Sequence, residues 1–117
     1  MAVAADKVLI YEQLSDLHEL SAVSSNKVFR KHFAEASDDL VRAYVEVVHN
    51  LLHNETLVRV LTRGEKQFIR RRRGVLGSLA KPKLPLKSKR RRLATLGLSF
   101  LKRVLPIVDR YLVPVPT

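Results

Sequence analysis

The chain reads as an all-α protein, and three features carry that reading. Apolar residues recur at three- and four-residue steps, helix-start signatures precede several of those runs, and alternating strand patterns are weak. Turn chemistry is sparse as well. Four glycines, five prolines and seven aromatics (three Tyr, four Phe) in 117 residues are too few for a β-sandwich. A small helical bundle or hairpin remains, and 46% apolar residues exceed what a disordered polyelectrolyte carries.

Ile10, Leu14, Leu17 and Leu20 mark a first helix, with Glu12, Asp16 and Glu19 on its other faces. Residues 21–26 predict a turn, with Asn26 capping a short helix that carries Val28, Phe29 and Phe33. Ser37 followed by Asp38 and Asp39 is a strong helix start, because acids favour the positive end of the helix dipole. Leu40, Tyr44, Val47, Val48, Leu51 and Leu52 then form an apolar stripe to about His53, and Asn54 breaks it.

Thr62-Arg63-Gly64-Glu65 has the spacing of a capping box. On the helix that follows, Phe68, Ile69, Val75, Leu76 and Leu79 fall within an arc of roughly 120°. Lys66, Arg70 and Arg73 lie opposite, whereas Arg72 falls inside the apolar arc and must snorkel or sit at a rim. Lys81-Pro82-Lys83-Leu84-Pro85 predicts an extended spacer, the core of a linker at 81–87, since each proline pushes its predecessor out of the α region. A last helix is expected from about Ser88 to Val104. It carries Leu93, Leu96, Phe100, Leu101 and Val104 on one side and Arg91, Thr95 and Lys102 on the other. Pro106 ends or kinks it, and Pro114 and Pro116 make an extended tail.

Charge divides the chain in two. Residues 1–61 hold six basic and nine acidic side chains, net −3, whereas residues 62–117 hold sixteen and two, net +14, which together give the +11 of the whole. A mildly acidic helical region thus precedes a strongly basic one, and the basic one calls for a polyanionic partner. Its two runs are Arg70-Arg71-Arg72-Arg73 and Lys87-Ser88-Lys89-Arg90-Arg91-Arg92. Consecutive helical residues point about 100° apart, so each run clothes most of a helix circumference. A single small anion needs one or two aimed cations; a collar suits a lattice of phosphates. An ordinary solvated face would mix signs, but only Glu65 and Asp109 interrupt these bases. The candidate nucleic-acid-binding residues are therefore Lys66, Arg70, Arg71, Arg73, Lys87, Lys89, Arg90, Arg91 and Arg92. Of the aromatics only Phe68 lies close to a basic run, against a single-strand stacking platform, and no mixed Asn/Gln/Arg reading helix points to base specificity.

Catalytic chemistry finds little purchase. The absence of cysteine removes disulfides, thiolate nucleophiles and Cys-based metal sites. Glu46, His49 and His53 have the spacing of metal ligands on one helix face, but no second Glu-x-x-His exists, so they read as surface or capping histidines. Ser15 and Ser21 near His18 lack a nucleophile elbow. No catalytic residue, metal or cofactor is assigned. Asp6, Lys7 and Glu12 break up any apolar leader, and Lys102, Arg103, Asp109 and Arg110 interrupt the most apolar long window. Neither a secretion signal nor a transmembrane span is expected. The last helix has an apolar arc of roughly 200°, wide enough to lie in an anionic membrane interface, although packing on the first half is the favoured use of it.

From about residue 43 to residue 108 the chain resembles a family of small basic proteins encoded by Polinton (Maverick) elements and the related adintoviruses. The likeness runs through Asn50-Leu51-Leu52, Leu61-Thr62, the basic helix from Glu65 to Arg73, Leu79-Ala80, the spacer from Lys83 to Lys87, the run from Lys89 to Leu93 and the apolar stretch from Phe100 to Val108. It departs in having only Gly97 where the family often pairs glycines before its apolar tail. The family looks like a counterpart of adenoviral core or precursor proteins, which are packaged with viral DNA. The resemblance implies that Arg70–Arg73 and Lys87–Arg92 contact DNA, and it implies a place in the nucleus or the virion.

The expectation from sequence is a non-enzymatic, sequence-independent nucleic-acid-binding or condensing protein, with duplex DNA as its partner. Self-association would run through the N-terminal helices. The alternatives are a membrane-active amphipathic protein or an adaptor docking an acidic surface such as a capsid interior.

Overall fold

The computed structural model describes residues 5–112, with side chains from residue 8 onward. Among the described residues there are seven α-helices, one π-helical turn and no strand, so the chain is all-α. α1 (Ala5–Ser21) buries Ile10, Leu17 and Leu20, as its spacing requires. α2 (Asn26–Ala34) buries Phe29 and Phe33. α3 (Asp38–His53) starts at Ser37, whose hydroxyl accepts the Leu40 N–H at 3.1 Å, and carries Asp38 and Asp39 in its first turn. Asn54 ends α3, and its side-chain oxygen accepts the Leu57 N–H at 3.0 Å, opening a short α4 (Glu55–Val60) that periodicity did not announce. The capping box at Thr62 is complete. Glu65 N–H donates to Thr62 Oγ1 at 3.1 Å, Thr62 N–H donates to Glu65 Oε1 at 2.8 Å, and α5 (Arg63–Arg70) follows.

The structure departs from the sequence pattern in four places. The expected continuous helix is interrupted at Arg71 and Arg72, and α6 (Arg73–Leu79) sets off from Arg72 at φ −106°, ψ 11°. The interruption lets Phe68 and Ile69 of α5 and Leu76 and Leu79 of α6 all reach the core, while Val75 is left 46% exposed. Asn26 does not cap α2; Ser25 does, its hydroxyl accepting the Val28 N–H at 3.3 Å. The proline spacer is a turn rather than an extended strand: Leu84 N–H donates to Lys81 O at 3.2 Å, with Pro82 at the second turn position, where its fixed φ fits. α7 (Leu86–Ile107) therefore begins directly after Pro85 and ahead of Ser88. Nor does Pro106 end that helix at Val104. Burial of Ile107, Val108 and Leu112 holds the chain on a helical path through the π-helical turn Val108–Leu112. The tail with Pro114 and Pro116 lies outside the described residues.

α3 packs against α1, α4, α6 and α7, and nine of its sixteen residues are buried. Tyr44 sits at its middle, with Phe33 edge-on at 6.0 Å and Phe100 stacked at 6.5 Å between ring centroids. Phe29 continues the line beyond Phe33, and Phe68 continues it beyond Phe100, so rings from α2, α3, α7 and α5 form one chain. The acidic and basic regions consequently share one hydrophobic core. α7 contributes Leu93, Phe100, Leu101 and Val104 to it, which uses the apolar face of that helix on the rest of the fold. No helix of the described residues is long and apolar enough to cross a membrane.

α7 is not one straight rod. Gly97 has φ 84° and ψ 175°, a conformation essentially restricted to glycine, and it divides the helix into 86–96 and 98–107. The Leu98 N–H that this break frees donates to Asn26 Oδ1 at 3.0 Å, so α2 supplies the cap for the second segment. A Cβ at Gly97 would stand 3.1 Å from that same oxygen.

Two stability measurements follow from this core. Gly97→Ala should lower urea stability by about 2 kcal/mol through backbone strain, whereas Gly77→Ala, where a Cβ meets open space, should raise it by up to about 1 kcal/mol. The Tyr44 hydroxyl is fully buried with no hydrogen-bond partner among the described residues, and burial pushes its pKa well above the ordinary phenol value, so it stays neutral. Tyr44→Phe removes an unpaired buried polar atom and should stabilise the protein by about 1 kcal/mol. A loss of stability instead would reveal a bound water or another partner at that oxygen.

Candidate nucleic-acid interface

The basic side chains reach the surface from two ends of α3. At its C-terminal end, Lys66, Arg70 and Arg73 rim a cleft of about 200 Å³ floored by Leu51, Leu52, Val58, Leu61 and Ile69. At its N-terminal end lies the start of α7 with Lys87, Lys89, Arg90, Arg91 and Arg92, tied there by the contacts of Arg90. Asp38 and Leu51 mark the two ends. They are thirteen residues apart, roughly 20 Å at about 1.5 Å per residue. The two runs thus form separate clusters rather than one collar.

Arg90 differs from its neighbours. Its Nη1 donates to the carbonyls of Phe33 at 3.0 Å and Ala36 at 2.6 Å, and its Nη2 donates to Asp38 Oδ1 at 2.9 Å. It adds a charged donor to the carbonyls of Phe33 and Ala36 where α2 ends and pairs with a carboxylate where α3 begins, with only 21% of its side chain exposed. Its guanidinium is committed to holding α7 against the α2–α3 junction. Lys66, Arg70, Arg71, Arg73, Lys87, Arg91 and Arg92 are exposed and Lys89 is half-buried. Among the described residues none of these eight has a carboxylate within ion-pair distance; the pairs that form are His18–Asp109, Arg42–Asp39, Arg90–Asp38 and Arg110–Glu65.

The interruption at Arg71 and Arg72 builds a further group of cations. Arg72 snorkels, as its place in the apolar arc demands: its Nη1 donates to Phe68 O at 3.0 Å and its Cζ stands 3.9 Å from the centroid of the Phe68 ring. Arg103 of α7 places its Cζ 4.1 Å from the same centroid. Sequence alone gave no reason to join Arg103 to the basic run, because the two meet only through the packing of Phe68 on Phe100. The Phe68–Arg72 pair was readable, being four apart on one helix face.

The chain matches no protein-family model, no curated protein and no solved structure. Chemistry must therefore be read from these side chains. His49 and His53 lie 4.9 Å apart between ring centroids and are both exposed. Among the described residues no group of three or more His, Asp or Glu side chains is placed to hold a metal ion.

Arg90→Gln should cost about 2 kcal/mol in urea unfolding, since it strips a charged donor from two helix-end carbonyls. Arg91→Gln, on the exposed side, should change stability by less than about 0.5 kcal/mol. Equal effects would mean that Arg90 is as free as its neighbours.

Proposed function

We propose that this protein is a non-enzymatic, sequence-independent nucleic-acid-binding protein that draws duplex DNA segments together, in the manner of a virion-core or other DNA-condensing protein of the nucleus. One observation supports this reading above the rest: among the described residues, eight of the nine basic side chains singled out in the sequence have no carboxylate within ion-pair distance, although the chain has eleven acids. Unpaired cations gathered on a folded scaffold raise the energy of the free protein by mutual repulsion, and a polyanion relieves it while releasing counterions. Clusters at opposite ends of α3, roughly 20 Å apart, are too far apart to share one phosphate and suit separate phosphates of one duplex or of two neighbouring duplexes.

An adaptor function is the second reading, and the cleft at Leu51, Leu52, Val58, Leu61 and Ile69 favours it. An apolar floor with a rim of Lys66, Arg70 and Arg73 suits an acidic amphipathic segment, such as one lining a capsid interior. Membrane insertion has less support, because the apolar face of α7 is occupied by the core.

Binding to unrelated duplexes should agree within a few-fold, and log affinity should fall against log salt with a slope of about −5 if ~6 phosphates are neutralised. Replacing Arg70, Arg71, Arg73, Arg91 and Arg92 together with Gln should weaken binding by orders of magnitude and flatten that slope, with helicity retained. Preference for one sequence by about a thousandfold would exclude the non-specific reading. Leu52→Ser and Val58→Ser separate the two readings: duplex affinity survives both on the first, whereas capture of an acidic amphipathic peptide is lost on the second.

A further inference from the structure

We propose that Arg71, Arg72 and Arg103, together with Gln67, form a clamp for one backbone phosphodiester, distinct in kind from the diffuse basic clusters. The proposal rests on the nucleic-acid reading above and adds a fixed contact point to it. These residues line a cleft of about 160 Å³ with Gly64 and Phe68, and no carboxylate is among the lining groups.

Pre-organisation sets this cleft apart. The Phe68 ring is fixed by its stack on Phe100, with centroids 5.6 Å apart and planes at 22°, and is only 7% exposed. It holds the guanidinium of Arg72 at 3.9 Å and that of Arg103 at 4.1 Å, and the Phe68 carbonyl accepts one N–H of Arg72 at 3.0 Å. Two guanidinium groups are thereby gathered at one ring with a third at the cleft edge. None of the three has an ion-pair partner among the described residues: Glu65, the acid nearest Arg71 and Arg72 in sequence, is taken by Arg110, and Asp109, the acid nearest Arg103, is taken by His18. A ring quadrupole offsets part of the repulsion between such cations but supplies no acceptor for their N–H groups. A guanidinium carries five N–H donors in a rigid fork, and Arg72 uses one of them on the Phe68 carbonyl. The remaining donors suit the oxygens of a tetrahedral phosphate, and Gln67 offers an amide beside them.

Outward arginines such as Arg91 and Arg92 act through charge alone, and lysine replaces them without loss. At the clamp it does not, because a point ammonium neither stacks on Phe68 nor forks to two oxygens. Arginine-to-lysine changes in the full chain therefore read the proposal directly. Arg103→Lys and Arg71→Lys should each weaken binding of a short mixed-sequence duplex by about tenfold at near-physiological salt, whereas Arg91→Lys and Arg92→Lys should stay within about twofold of the parent. Sodium pyrophosphate should compete for the cleft in the parent, perturb the Nε–Hε resonances of Arg71, Arg72 and Arg103, and lose that effect in Arg103→Lys. Arg71 is exposed, so Arg71→Lys decides the matter if Arg103→Lys proves unfolded by circular dichroism. If the duplex binds and all four lysine variants behave alike, the clamp is overturned while the nucleic-acid reading stands. If pyrophosphate binds at these arginines but no duplex does, the phosphodiester assignment and the nucleic-acid reading are both overturned, and the cleft belongs to a free phosphate ligand.

Discussion

Burial of α3 is the constraint to which the rest of the molecule answers. A surface helix buries one stripe, but this one has nine buried residues and neighbours in α1, α4, α6 and α7. The helices that cover it are drawn from both halves of the chain. α1 and α4 come from the acidic half and α6 and α7 from the basic half, so the composition boundary near Leu61, at the junction of α4 and α5, does not divide the core. The interruption at Arg72 separates the α5 and α6 residues that reach the core, and the break at Gly97 separates Leu93 from Phe100 within α7.

Packing of this kind has an electrostatic cost, since the region supplying half the core carries net +14. The fold meets that cost locally rather than by general neutralisation. Arg90 is matched to helix-end carbonyls and to Asp38, Arg110 to Glu65, and Arg72 to an aromatic face and a carbonyl. The other bases are held out in solvent, where repulsion is screened within about 10 Å at moderate salt. Structural and solvent-facing arginines are therefore interleaved along the same short runs.

Features set by neighbouring residues were legible in the sequence. Ser37 and the Thr62–Glu65 box cap their helices as read, Asn54 makes the break, and the apolar stripe of α3 is buried as spaced. Legibility stopped where distant residues decide. Asn26 looks like a cap for its own helix, and only the approach of α7 gives it Leu98 instead. Arg90 is indistinguishable from Arg91 and Arg92 in a basic run, although its contacts lie more than fifty residues away. The turn at Lys81–Leu84 is the exception, a local feature whose signal is Pro82 at the second turn position. Arg103 lies beside Lys102 within an otherwise apolar stretch, and nothing local connects it to Arg72.

The long ties between the two ends of the sequence bear on how the chain assembles. Asn26 to Leu98, Arg90 to Phe33 and His18 to Asp109 join residues 72, 57 and 91 positions apart. Helical proteins usually fold quickly because their contacts are local, but here the fixing contacts close large loops whose entropy must be lost before the core rewards it. Helix formation takes on the order of a microsecond or less and does not set the pace. The slow event is the return of the last third of the chain to the first. That event is also the one that brings the basic run against α2 and α3, and under the proposed function a polyanion that meets the unfinished chain would compete directly with its folding.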